Sequence, residues 1–287
     1  MAYYSGAAND MAALRSALIG ACVAEGWTLT GDILSKGTMF CRTVIFNGSL
    51  QITGGTGIGA GSTLAGASSR SCHVLGTGNL AVTWPAAYEI FVFPTEVFLV
   101  VRFSVDRYQW CAFGQSDIAL PGTGMWFAAT AGMQASTGIA LTVTSSSTVH
   151  PSGLPFWAAY NSDGPDNCRI HHGFDGAGWS SGSDLIGISY NASELISLLP
   201  NTWNSEAVLL PIRAFITRPS SKLSLALELI NARFTRVDNH EPGEVITFGS
   251  ERWKIFPGYR KDVVNRNGGT NIQHSGTFGW AVRYEGP

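Results

Sequence analysis

Three short stretches of this 287-residue chain hold residue types that can do chemistry. Gly178-Trp179-Ser180-Ser181-Gly182 matches the Gly-x-Ser-x-Gly elbow of serine hydrolases, and Asp238 and His240 follow in the chain order of such a triad. An elbow works by exposing its serine at a tight turn from strand to helix. Here Phe174-Asp175-Gly176-Ala177 before it does not read as a strand, and Ser183–Tyr190 after it does not read as a helix. A nucleophile also needs a base within hydrogen-bond reach and donors for the oxyanion. His240 and His274 are distant in sequence, so Ser180 is expected not to be a nucleophile. Gly55-Thr56-Gly57-Ile58-Gly59-Ala60 matches a Gly-x-Gly-x-x-Ala dinucleotide fingerprint. That device needs a following helix whose amides meet a pyrophosphate. The sequel Gly61-Ser62-Thr63-Leu64-Ala65-Gly66 is poor helix material, so a glycine-rich loop is expected.

His171-His172, with Asp166 and Asp175 nearby, has the donor types of a metal site. Adjacent side chains point to opposite faces of a strand and lie about 100° apart on a helix, so two neighbouring histidines rarely share one ion. A polar surface loop is the expectation. Carboxylates are too dispersed for a glycosidase pair. The five cysteines, Cys22, Cys41, Cys72, Cys111 and Cys168, are odd in number and contain no Cys-x-x-Cys pair. They read as small apolar residues of a protein made in a reducing cytoplasm, not as a disulfide scaffold or a zinc site. No catalytic, cofactor-binding or metal-ligating residue is therefore assigned, and a non-enzymatic protein is expected.

The elements that would position such residues are mostly strands and turns. Asp10–Ala24 is the one convincing helix: Met11, Leu14, Leu18 and Cys22 recur at helical spacing, Asn9 or Asp10 can cap it, and Gly26 follows. The chain is expected to open in this helix-like fashion, with residues 1–35 as a helical arm. A short helix over Ser193–Leu199 would end at Pro200. Met39–Phe46 and Ser49–Thr53 flank an Asn47-Gly48 hairpin turn. Tyr88–Phe93 and Glu96–Val105 read as two strands with a break between them. Leu223, Leu225, Leu227 and Leu229 alternate with their neighbours, which predicts a strand with one buried face. Val245–Phe248, Arg252–Phe256 and Phe278–Tyr284 complete the series. Residues 36–287 are thus expected to form a β body, divided near residues 144–153 into two lobes. The fold class predicted is mainly β: antiparallel sandwich or barrel sheets with an N-terminal α-helix. The dense aromatic run from Trp84 to Phe113 is expected to be β core; a carbohydrate platform would need exposed rings instead.

Composition adds the functional constraint. Charged residues make up 13% of the chain, about half of the ~25% usual in soluble domains. Residues 1–212 carry 7 basic and 13 acidic side chains, and residues 213–287 carry 11 and 7. The formal net charge of -2 excludes an electrostatic trap for nucleic acid. Ile90–Val105, the most apolar run, is interrupted by Pro94, Glu96 and Arg102, so no membrane span is expected. Between Asp117 and Asp163 lie 45 consecutive uncharged residues, and residues 118–162 are expected to be largely buried in the core or against a neighbour. A surface so short of charge points to an assembly component.

Three segments carry a resemblance. They are the opening Met1-Ala2-Tyr3-Tyr4-Ser5-Gly6 with its alanine-rich helix to Trp27, the stretch from Trp84-Pro85 through Tyr108–Gly114 to Leu120–Trp126, and Val245–Lys261 with Gly276–Tyr284. In these the chain resembles a family of virion structural proteins of tailed bacteriophages, encoded among tail and baseplate components. The resemblance implies a structural subunit located in the virion after synthesis in the host cytoplasm. Its partners would be copies of itself and other tail or baseplate proteins. A receptor- or carbohydrate-binding module that meets a host-surface glycan is the alternative, and a hydrolase using Ser180 a further one.

Overall fold

The computed structural model describes residues 1–75, 82–134, 138–140, 154–156, 168–180, 185–187, 208–237, 240–258 and 278–287. Three antiparallel sheets stack as layers, and the helix lies beside one of them. The central sheet runs, in spatial order, Ala2–Ala8, Ala86–Val92, Glu96–Ser104, Arg107–Gln115, Met125–Ala129 and Cys168–Ile170. The second sheet runs Gly138–Ala140, Ala131–Gln134, Cys72–Val74, Ser49–Gly55, Met39–Phe46, Ile33–Lys36 and Thr28–Thr30. The third runs Leu185–Gly187, Leu210–Arg218, Lys222–Arg236, Phe278–Arg283, Glu251–Pro257 and Val245–Phe248. The mainly β, antiparallel, sandwich-like architecture with an N-terminal helix is the one the sequence predicts.

Alternation along the strands explains the layering. In Glu96–Ser104, Val97, Leu99 and Val101 enter the core shared with the helix and second sheet, while Phe98 and Val100 enter the core shared with the third sheet. The neighbouring strand repeats this, with Cys111 and Phe113 on one face and Trp110 and Ala112 on the other. A strand with both faces covered favours apolar side chains on both, and a polar one there needs a buried partner. That is why the most apolar run of the sequence becomes the middle layer. Between the central and third sheets the core is aromatic: Trp110 and Trp126 meet Trp280, Phe98 and Phe156 at centroid distances of 5.5 to 6.3 Å. Each such pair contributes about 0.5–1.5 kcal/mol beyond its buried area.

The helix α1 spans Met11–Ala24. The Asp10 carboxylate accepts the Ala13 amide at 2.7 Å and caps it, and Gly26 leaves it with φ of 81°. Its buried stripe is Met11, Leu14, Leu18, Ala21 and Cys22. The opening residues are not helical. Ala2–Ala8 is a strand, in which Tyr3 turns to one core and Tyr4 to the other. Residues 1–35 thus supply an edge strand of the central sheet, the helix packed against that sheet and the start of the second sheet. Among the described residues no helix is long and apolar enough to cross a membrane.

Two further expectations are modified. The leucine strand does not keep one face. Ala214 pairs with Leu227 but Phe215 pairs with Leu225, so Ala226 is an extra residue that reverses the alternation. Leu227 and Leu229 are buried, while Leu223 is 57% exposed. Of the uncharged run, Met125–Thr130 and residues 154–156 are buried, whereas residues 118–123 are half-buried or exposed at a loop. The remainder of that run, the division near 144–153 and the helix at Ser193–Leu199 lie wholly or largely outside the described residues.

Candidate functional site

Ser180 is held by the backbone of the strand Cys168–Ile170. It is 2% exposed, its amide donates to Ile170 O at 3.0 Å, and its Oγ accepts the Ile170 amide at 3.1 Å. Residue 180 therefore continues the bridge between His171 and Trp179, and its hydroxyl is occupied by the backbone. Among the described residues no histidine bonds it. His240 is held elsewhere, 3.1 Å from Glu244. Asp238, His274 and Asp166 lie outside the described residues.

The histidine pair divides as strand geometry requires. His171 Nδ1 lies 3.2 Å from the Thr123 amide and 3.1 Å from its hydroxyl, and its ring meets Trp179 edge-on at 5.2 Å. Burial holds its pKa below the ordinary value. Asp175 turns away to a two-pronged pair with Arg218, at 2.8 and 2.7 Å, and the guanidinium lies 4.8 Å from the centre of the Phe174 ring. Among the described residues no group of three potential ligands converges on one point.

The glycine stretch also has a packing reason. Gly55 ends a strand, Gly57–Ile58 pairs with Leu64–Ala65 as a small hairpin, and a single 3-10 turn over Ala60–Ser62 joins them. Gly54 lets the second sheet approach the central one: a Cβ there would fall 2.6 Å from Phe127 and 2.7 Å from Trp179. Trp179 donates from Nε1 to Gly66 O at 2.8 Å and so ties this hairpin to the loop that carries Ser180. The aromatic run is likewise core. Phe91, Phe93, Phe98, Phe103, Tyr108, Trp110 and Phe113 are buried, and Trp84 and Tyr88 are half-buried. All five cysteines are buried, and none is joined in a disulfide. Burial pushes Cys22 and Cys168 up to about 12, so neither is a ready nucleophile.

Three polar clusters escape sequence reading because each joins distant strands. The first is a clamp between the central and third sheets. Lys254 Nζ lies 2.5 Å from Glu89 and 3.2 Å from Tyr3 Oη, and Tyr3 donates to Glu89 at 2.7 Å. Burial and then the bond to Glu89 raise the Tyr3 phenol. Burial alone would lower Lys254, but Glu89 outweighs it and the net direction is up. Phenol and ammonium both keep their protons, which makes a fastening and not an acid–base pair. The second cluster is Glu96, 1% exposed, which accepts the Ile230 amide, the Asn231 amide and Asn231 Nδ2 at 2.8–2.9 Å. Opposite these residues the ladder jumps from Pro211–Arg233 to Arg213–Glu228, so the bulged strand has amides without ladder partners. The carboxylate satisfies them.

The third cluster lies in the second sheet. His73, fully buried, has Nδ1 2.9 Å from Ser49 Oγ and Nε2 3.4 Å from Gln51 Nε2. Ser49 spends its hydrogen on Phe46 O at 2.7 Å, so it accepts from Nδ1–H and leaves Nε2 to accept from Gln51. The alternation Ser49-Leu50-Gln51-Ile52-Thr53 was the available signal; the histidine comes from another strand. No protein-family model matches the chain, and no curated protein matches it.

What the surface offers instead is apolar contact area. Val105 is 78% exposed, Leu223 57%, Phe248 56%, Val23 46%, Ile45 44% and Ile230 43%. They are distributed over a hairpin tip, strands and the helix of all three layers.

Proposed function

We propose that the chain is a non-enzymatic structural subunit of a tailed-phage virion, in the tail or baseplate, and that it acts through contacts with its own copies and other virion proteins. The observation that carries the assembly part is the display of large apolar residues at several places on a chain with so few charges. A subunit with several neighbours needs several such contacts, each modest in area. The occupied hydroxyl of Ser180 supports a structural role for the loop that matches a hydrolase motif. The virion part rests on the resemblance of the three segments. The test is to probe gradient-purified particles, from cells carrying the gene, with an antibody raised against the purified protein, using immunogold microscopy. Stoichiometric labelling at the tail supports the reading; particles that lack the protein overturn it.

A further inference from the structure

Among the described residues, six strands end the three layers. Thr28–Thr30 has three residues and Val245–Phe248 has four, while Cys168–Ile170, Gly138–Ala140 and Leu185–Gly187 adjoin residues outside the description. The sixth, Ala2–Ala8, has seven residues in unbroken register with Ala86–Val92. Sheet edges are guarded against unwanted pairing by brevity, charge, proline or a bulge. Two of these edges are guarded by brevity. Ala2–Ala8 has none of the four, and among the described residues no strand pairs with its outer side. Ser5, Gly6 and Ala7 are exposed.

We propose that this edge pairs with the same strand of a second copy, antiparallel about a twofold axis at Ser5. The inference deepens the assembly reading and rests on it. Antiparallel partners in one sheet share a face, so the register centred on Ser5 sets Tyr4 opposite Gly6 of the second copy and Tyr3 opposite Ala7. Each tyrosine thereby meets a small residue, and the remaining pairs, Ser5 with Ser5 and Ala2 with Ala8, are small on both sides. Tyr88 already lies over Gly6, where a Cβ would fall 2.7 Å from its hydroxyl, so the incoming Tyr4 packs beside an aromatic ring. The strand carries no charge, so no like charges oppose one another across the axis.

The third sheet reinforces the seam. Tyr3 touches Lys254, whose strand is next to the edge Val245–Phe248, so both edges lie on one flank. An in-sheet antiparallel pair has its twofold perpendicular to the layers, which brings Val245 and Phe248, 39% and 56% exposed, toward their own copies. Seven residues extend about 24 Å, and two layers are about 20 Å deep, which gives about 1,000 Å² in total. That is the lower limit for a specific interface, so the pair is expected to be concentration-dependent.

The test is sedimentation velocity of the full chain, tagged at its C-terminal end, from 1 to 200 µM. Wild type is expected to shift from monomer to dimer over this range. Ser5→Lys places two ammonium groups on the axis and is expected to stay monomeric with an unchanged thermal melt. Ser5→Cys is expected to form a disulfide-linked dimer on mild oxidation, while Val105→Cys, on a hairpin tip, does not; the native thiols are buried. A wild type that associates equally well as Ser5→Lys, with no Ser5→Cys cross-link, overturns the seam and leaves the assembly reading standing. A wild type monomeric throughout, with no cross-link, also overturns it, and the particle-labelling experiment then judges the assembly reading alone.

Discussion

Acidification should unlock the buried His73 cluster, and the size of the effect follows from its hydrogen bonds. The neutral Nδ1–H tautomer satisfies both Ser49 and Gln51; a second ring proton would point at the Gln51 amide, itself a donor. Burial lowers the folded pKa from 6.5 to about 4. Between these values the unfolded chain binds more protons than the folded one, so stability is full above pH 6.5 and falls as pH drops toward 4. At 1.36 kcal/mol per unit, the loss from this group is about 2 kcal/mol by pH 5 and about 3 kcal/mol by pH 4. Glu96 works in the opposite sense, because burial raises its pKa and the cost of its charged form disappears on acidification. The assay must therefore isolate His73. Urea unfolding of wild type and His73→Asn, which cannot titrate, is compared at pH 7.5 and pH 5; Glu96 cancels in the difference. Wild type should exceed the variant by about 2 kcal/mol less at pH 5 than at pH 7.5. Parallel behaviour of the two chains would refute the argument.

Glu96→Ala should cost about 3–5 kcal/mol in chemical denaturation, because it strands two bulge amides and the Asn231 side chain. Leu18→Ala, at a fully buried position beneath the helix, should cost about 2–5 kcal/mol, and removal of residues 1–26 should abolish the cooperative thermal transition. Ser180→Ala should lower stability by about 1–2 kcal/mol through loss of the acceptor for Ile170. It should leave labelling by a serine-reactive phosphonate at the wild-type background; stoichiometric wild-type labelling that the substitution removes would revive the hydrolase reading.

The fold class was legible because its signals are local. Alternating Val97-Phe98-Leu99-Val100 carries its layer in its own period, and Asp10 with Leu14 and Leu18 carries the helix. The strand at Ala2–Ala8 was not legible, because seven small and aromatic residues beside an alanine-rich helix have no period of their own; only the pairing with Ala86–Val92 makes them a strand. The bulge at Ala226 was hidden for a related reason. Strict sequence alternation implies strict facial alternation only while the partner strand keeps step. The polar clusters are non-local by construction: Glu96 meets Ile230, and Tyr3 meets Lys254. The glycine loop was readable, since the poor helix sequence after Gly59 is a local fact.

A middle layer with two apolar faces imposes an order of events on the ribosome. Strands through residue 170 complete the central sheet, and among the described residues the helix and the second sheet on its other side are made before it. The opposite face, with Phe91, Phe98 and Trp110, waits for Trp280 and Phe256. At about 5–20 residues per second, the nascent chain carries that open aromatic face for several seconds to about 20 s. Expression yield should therefore respond to chaperone supply during this interval, and chains released before the last strand should aggregate through this face.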